Sequence, residues 1–153
     1  MENRNVIGID PGGKGAIVVI TEFGHVQIYK MPETPTDVLE LLTVYSTNSV
    51  CYMEKVGGMP GMGGSPMFNF GKGYGHLEMA LLALKIPTET VTPQKWQKEM
   101  QMGTRGTRSK TEWKNHLKAK AQQLFPGQKL TLDTSDAILI AEYGRRNEQR
   151  QPQ

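Results

Sequence analysis

Three short apolar segments at the start of the chain constrain its fold more than any other feature. They read NVIGID, AIVVITEF and HVQIYKM, and they lie between residues 5 and 31. The turn PGGKG joins the first two, and Gly24 closes the second. Apolar runs with period-two alternation, bounded by turn residues, are typical of strands. Because connections this short cannot carry a crossover between parallel strands, the three segments are predicted to form an antiparallel meander.

The rest of the chain alternates between helical and strand patterns. Thr34 and Pro35 mark the start of a helix, and the apolar segment VCYMEKV follows it. A strand that returns after a helix should lie parallel to the first strand. Another helix, the strand TETVT and three more helical segments complete the pattern. We therefore expect an α/β protein with a mixed five-stranded sheet flanked by helices, in a single domain over residues 1–148 with a frayed tail at 149–153.

Residues 57–75, GGMPGMGGSPMFNFGKGYG, are unusually rich in glycine. Glycine disfavours regular structure, so this stretch is predicted to be irregular, with the next helix beginning near Gly75. Its aromatic and methionine side chains allow two interpretations. The stretch is either a loop that folds back over the core, or a mobile loop beside the functional site that offers aromatic rings for base stacking.

Composition excludes several classes of protein. The 153 residues contain one cysteine, Cys51, which excludes an internal disulfide and a multi-cysteine zinc site. No apolar run approaches the roughly 20 residues that span a membrane, and the first residues do not read as a signal peptide. We expect a cytoplasmic protein, or a phage-encoded one that acts in the host cytoplasm, without a membrane partner.

Positive charge is concentrated in one segment. Residues 95–120 contain eight basic and two acidic residues, a net charge of +6, whereas the whole chain carries +3. A segment of this kind is either a solvated helix face or a surface that binds phosphate.

Four carboxylates occupy positions that favour catalysis. Asp10 and Glu54 end two apolar strands, and Asp133 and Asp136 lie three residues apart at a predicted helix start. Each alone could be a turn residue or a helix cap. Together they would repel each other unless cations neutralised the site. Carboxylates are the oxygen ligands that Mg²⁺ prefers, and two such ions can drive phosphodiester hydrolysis.

Four segments carry a resemblance to a known family: IGIDPGGKGA, YMEKV, VTPQKWQK and DTSDAILIAEYGRR. The chain resembles the RuvC-like Holliday junction resolvases, a branch of the ribonuclease H-like superfamily, and most closely its phage and organellar members. The resemblance implies a ribonuclease H-like fold. It also implies a Mg²⁺-dependent homodimeric endonuclease of DNA recombination and repair, which makes paired symmetric nicks in a four-way junction.

The resemblance also implies roles for individual residues. Asp10, Glu54, Asp133 and Asp136 would hold two Mg²⁺ ions, for which Mn²⁺ could substitute, and Lys98 would assist catalysis, with Lys95 and Lys110 as alternatives. From the residues themselves, a helix at about 76–84 is expected to form the dimer interface, because Leu81, Leu82 and Leu84 offer more apolar surface than one core-facing stripe needs. The sequence does not choose which aromatic enters the junction centre. The residues expected to contact DNA are Phe68, Phe70, Lys72, Tyr74, Lys95, Arg105, Arg108, Lys110, Lys114 and Lys118.

Two other functions are compatible with parts of this pattern. One is a different ribonuclease H-like nuclease that acts on RNA–DNA hybrids or on RNA, because the metal chemistry is shared. The other is a catalytically inactive binding module that uses only the basic surface, and the presence of all four acids argues against it. The aromatic, glycine-rich segment favours branched DNA, since opening a junction requires groups that replace base stacking.

Overall fold

A mixed five-stranded sheet forms the centre of the protein. The computed structural model describes residues 3–57 and 61–151. The strands lie in the order β3-β2-β1-β4-β5. The first three pair antiparallel, and β4 and β5 continue the sheet parallel to β1. The predicted meander and crossover are therefore confirmed. The strand bounds are β1 Asn5–Asp10, β2 Ala16–Ile20, β3 Val26–Lys30, β4 Ser49–Glu54 and β5 Thr88–Val91.

The described residues contain five helices, which cover the two faces of this sheet. Alternate residues of the strands point to opposite faces, so each face has its own apolar core. Ile7 and Ile9 pack with α1 and α2, whereas Val6 and Val18 pack with α3, α4 and α5. No helix in the described ranges is long and apolar enough to cross a membrane. The helix bounds are α1 Pro35–Val44, α2 Gly64–Ala83, α3 Pro93–Glu99, α4 Lys110–Leu124 and α5 Leu132–Arg150.

The predicted starts of α1 and α4 are confirmed by their capping hydrogen bonds. The Thr34 side chain accepts from the backbone N–H of Asp37, and the Ser109 side chain accepts from that of Glu112, both at 3.1 Å. Each bond satisfies a donor that the first turn of a helix leaves without a partner.

The prediction of irregular structure over residues 57–75 is wrong from Gly64 onward. Helix α2 starts there and includes Gly71, Gly73 and Gly75. Leu77 and Leu81 are buried against the sheet, and packing of this kind outweighs the low helix propensity of glycine. The part of the predicted irregular segment at 58–60 lies outside the described residues.

Helix α5 extends into the segment that was expected to be a frayed tail. It begins at Leu132 and continues to Arg150, whose guanidinium donates to the Glu99 carboxylate at 2.6 Å. Residues 149 and 150 of the predicted frayed tail are therefore helical. The last two residues of that tail lie outside the described part of the chain.

Helix α5 packs so closely on the sheet that backbone atoms of the two are in contact. A Cβ atom added to Gly8 would lie 2.4 Å from the Ala141 backbone nitrogen and 2.5 Å from the Ala137 carbonyl oxygen. One added to Gly144 would lie 2.4 Å from the ring of Tyr52. Glycine at these two positions therefore sets how closely α5 approaches β1 and β4.

Substituting Gly8 tests how closely α5 packs on β1. Gly8→Ala is expected to lower the free energy of unfolding by about 1–3 kcal/mol, because backbone atoms of α5 cannot rotate away from the new methyl group. The matched control is Gly71→Ala in α2, where an added Cβ meets open space. That change should raise stability by about 0.5–1 kcal/mol. Urea denaturation measures both, and equal effects of the two changes would contradict the packing argument.

Candidate active site

Two of the four candidate acids lie side by side at one edge of the sheet. Asp10 is the last residue of β1 and Glu54 the last of β4. Ile9 pairs with Met53, so the two acids follow one residue later on neighbouring parallel strands. Gly8 and Tyr52, two residues earlier on each strand, contact α5. Since strand residues two apart share a face, both carboxylates project on the α5 side of the sheet.

The first turns of α5 bring the other two acids to this edge. Thr131 caps the helix: its hydroxyl accepts from the Thr134 backbone N–H, and the Thr134 hydroxyl accepts from that of Thr131, at 3.3 and 2.9 Å. Asp133 and Asp136 therefore do not supply the capping hydrogen bond. The interpretation of these two aspartates as simple helix caps is wrong.

The charge environment of Asp10 shows that the acids are close together. Burial raises the pKa of the Asp10 carboxyl well above its usual range, and the negative charges of Asp136 and Glu54 raise it further. Lys114 opposes this shift, and Asp133 adds to it. Desolvation and like charge both disfavour the ionised form of a carboxyl group. The site thus has an excess of negative charge that a bound cation would offset.

Glu54 and Asp136 experience the same environment. Burial raises the pKa of Glu54, and a hydrogen bond from Trp96 acts in the opposite direction. In that bond the indole Nε1–H donates to Glu54 Oε2 at 2.8 Å. Burial also raises the pKa of Asp136, against the effect of Lys114.

Lys114 has a different environment from the one that its sequence position suggests. It was expected to contact DNA as one of three lysines spaced by four on α4. Its positive charge lowers the pKa of Asp10, Glu54 and Asp136, so the ammonium group lies within electrostatic range of these acids. Its contact with DNA stays a prediction. Lys98, the predicted catalytic lysine, is exposed near the end of α3, and its role stays a prediction.

The donor chemistry of this site fits a hard divalent cation. Its four acids offer carboxylate oxygens, and the buried members carry unfavourable charge in the absence of a cation. Within residues 3–57 and 61–151, no three acidic, histidine or cysteine side chains are arranged to ligate one ion together. Mg²⁺ usually takes one or two carboxylates and keeps several water ligands, so fewer protein ligands per ion suit it.

Helix α2 reaches the same edge from the other face of the sheet. The Phe70 ring lies over the turn after β1, 3.2 Å from where a Gly12 Cβ would be, and it stacks on Tyr74 with centroids 6.4 Å apart. The Tyr74 hydroxyl donates to the Glu54 carbonyl at 3.5 Å. Phe68, on the same helix, points into solvent instead, with 69% of its surface exposed.

A cleft of about 590 Å³ separates this helix from the turn after β1. Gly12 and Phe70 line one part of it, and Lys72 and His76 supply polar groups. The cleft therefore opens beside the strand that ends in Asp10.

The remaining basic candidates lie around α3 and the start of α4. Arg105 and Arg108 donate to backbone carbonyls of their own loop, at 2.9 and 3.0 Å. The Arg108 guanidinium also lies 5.7 Å from the centre of the Trp113 ring. Lys95 and Lys110 are exposed, and Lys118 is half-buried. The two arginines order the loop between the helices, and the exposed lysines leave positive charge on its surface.

The order of strands and helices, three antiparallel strands followed by parallel crossovers, defines a ribonuclease H-like fold. Among solved structures, the chain is similar to Thermus thermophilus RuvC, with a TM-score of 0.63 and 15% identity over 95% of this chain and 96% of that one. It is also similar to T. thermophilus RuvC in complex with a Holliday junction substrate, with a TM-score of 0.62 and 15% identity over 97% of both chains. The chain thus has a RuvC-like fold. No protein-family model and no curated protein sequence matches it.

Removing one charge should stabilise the metal-free protein. The pKa of Asp10 is raised in the folded state. Its contribution to stability is therefore present below the unfolded pKa and is lost as pH rises through the folded pKa. At pH 7 in chelator, Asp10→Asn should raise the melting temperature, by ~2–4 °C for each kcal/mol of repulsion relieved. Near pH 4 the gain should shrink, and added Mg²⁺ should stabilise the wild type more than the variant.

Glu40→Gln, a change at an exposed residue of α1, controls for the loss of one negative charge. Thermal melts between pH 4 and 8, with chelator or with Mg²⁺, make the measurement. A lower melting temperature for Asp10→Asn at pH 7 in chelator would show that the acids do not repel each other.

Proposed function

We propose that this chain is a structure-selective DNA endonuclease, a single nuclease domain that resolves four-way junctions by paired nicks. The observation that carries the proposal is the convergence of Asp10, Glu54 and Asp136 at the carboxyl edge of β1 and β4, in a RuvC-like fold. One of the similar structures, T. thermophilus RuvC, is in complex with a Holliday junction substrate, which supports the same class of substrate here.

The four acids would hold two Mg²⁺ ions, with Mn²⁺ as a possible substitute. When bound, the ions would activate water and stabilise the leaving oxygen of a phosphodiester. Asp10, Glu54 and Asp136 would supply metal ligands from three different elements, β1, β4 and α5. Lys114 adds a positive charge within electrostatic range of them and would stabilise negative charge that develops on the phosphate.

Recognition of the junction would use the exposed groups around this edge. Phe68 is the most exposed of the three candidate aromatics, whereas Phe70 and Tyr74 are stacked on each other. An exposed ring can stack on bases that a junction leaves unpaired. Lys95 and Lys110, which are exposed on the other side of the sheet, would contact the phosphates of the arms.

Two identical sites are required to cut opposed strands of a two-fold symmetric junction, and we infer a homodimer. The predicted interface needs a correction: Leu81 is 2% exposed and Leu84 packs against the core. Leu82 and Met79, at 72% and 63% exposed, present apolar surface on the outer side of α2. This exposed side of α2 retains Leu82 from the predicted interface and has Met79 in place of Leu81 and Leu84.

A substrate panel tests the proposed activity directly. Labelled four-way junction, duplex, flap and RNA–DNA hybrid are incubated with Mg²⁺ or with chelator. The junction should be cut preferentially, only with metal, and at symmetric positions. Asp10→Asn should reduce cleavage to background yet still bind the junction in a gel-shift assay. Preferential cleavage of the hybrid would favour the ribonuclease H alternative, and junction binding without any cleavage would favour a binding module.

The exposed aromatic provides a second prediction. Phe68→Ala should weaken junction binding by about 5–150-fold, equivalent to the ~1–3 kcal/mol of a lost base–aromatic stack. Duplex binding should change little. Phe23→Ala is the matched control, because Phe23 is 80% exposed in the turn between β2 and β3, at the opposite end of the sheet. Equal effects of the two substitutions on junction affinity would contradict a specific role for Phe68.

A further inference from the structure

We propose that Trp96 is a positioning residue, which holds one oxygen of Glu54 so that the other faces the metal site. This inference rests on the proposed function. The indole Nε1–H donates to Glu54 Oε2 at 2.8 Å, and Trp96 is 0% exposed. An indole has one donor and no acceptor, so it can bind the carboxylate but cannot compete with it for a cation.

The surroundings of Trp96 keep its ring in place. It packs in the core between the sheet and α5, with Val91, Met100 and Leu117 in the same cluster. Trp96 belongs to helix α3. The start of this helix is capped by Thr92, whose side chain accepts from the Lys95 backbone N–H at 3.3 Å. A ring held on all sides by core residues has one orientation available.

The backbone of Glu54 is fixed by the same part of the sheet. Glu54 pairs with Val91 of β5, and the Lys55 N–H donates to the Val91 carbonyl at 2.7 Å. Five residues after Val91 the chain reaches Trp96. Strand β5 and helix α3 therefore hold both the main chain and the side chain of Glu54. Among the described residues, its other carboxylate oxygen has no hydrogen-bond partner.

A fixed carboxylate is valuable at a metal site. Partners that hydrogen-bond a ligand orient it, and removing them typically weakens metal binding or activity by about 10–100-fold. Without the indole, Glu54 could turn its carboxylate away from the negative charges of Asp10 and Asp136. Trp96 opposes that rotation and keeps the acids together before a cation binds.

The test compares the two tryptophans of the chain. Trp96→Phe keeps an aromatic ring and removes the N–H, and it should weaken Mg²⁺ binding by about 10–100-fold in calorimetric titration. Trp113→Phe removes an indole that packs against the same core and should leave Mg²⁺ affinity unchanged. Circular dichroism verifies that both variants are folded. Unchanged Mg²⁺ affinity in folded Trp96→Phe would overturn the proposal.

A double variant separates positioning from general packing. In the background of Glu54→Gln, Trp96→Phe should cause little further loss of Mg²⁺ affinity, because both changes act on the same ligand. A full additional loss would mean that Trp96 acts elsewhere. If Glu54→Gln alone leaves Mg²⁺ affinity unchanged, the metal site itself is misassigned and the proposed function fails. If only Trp96→Phe is without effect, the proposed function stands and this inference fails.

A measurement on the wild-type protein keeps the test decisive if Trp96→Phe does not fold. The indole N–H signal of Trp96 in a ¹⁵N–¹H spectrum should shift during Mg²⁺ titration, with the midpoint of metal binding. The Trp113 signal should shift less. An unmoved Trp96 signal at saturating Mg²⁺ would overturn the proposal.

Discussion

The arrangement of the candidate site, at the carboxyl ends of β1 and β4, depends on the backbone contact between α5 and β1. Gly8 leaves no side chain between the strand and Ala137 or Ala141, so the helix lies directly on the sheet. Asp136 precedes Ala137 on this helix, and Asp10 follows Gly8 by two residues on the strand. The close contact therefore brings two carboxylates together in a region where burial raises the pKa of each. A wider spacing would relieve the repulsion and lose the site.

Local sequence signals predicted most of the fold, because the deciding interactions were local. The short turns fixed the meander, and the Thr34 and Ser109 caps lie where their spacing indicated. The first half of helix α2 was missed because its glycines carry a local signal for irregular structure, while the burial of Leu77 that stabilises the helix is a long-range effect. For the site, Asp10 and Glu54 were recognisable because burying a carboxylate at the end of an apolar strand is energetically unfavourable. Lys114 was not, since only packing distinguishes it from Lys110 and Lys118.

Acids and aromatics reach one edge of the sheet from opposite faces. The carboxylates face α5, whereas Phe68 and Phe70 belong to α2 on the other side. The end of β4 joins the two sets, because Glu54 accepts from Trp96 through its side chain and from Tyr74 through its carbonyl. Helix α3 also carries the exposed Lys95 and Lys98. Contact between DNA and this helix would thus act on the element that orients a metal ligand.

The glycines of α2 have a mechanical consequence. A Cβ atom added to Gly71, Gly73 or Gly75 would meet no atom of another element within 4 Å, so no neighbouring element packs against these three positions. Glycine also gives a helix low bending stiffness, because its backbone has more accessible conformations. Helix α5, pressed against the sheet over Gly8 and Gly144, has no such freedom. We therefore expect the helix that presents Phe68 to bend more readily than the helix that holds Asp136.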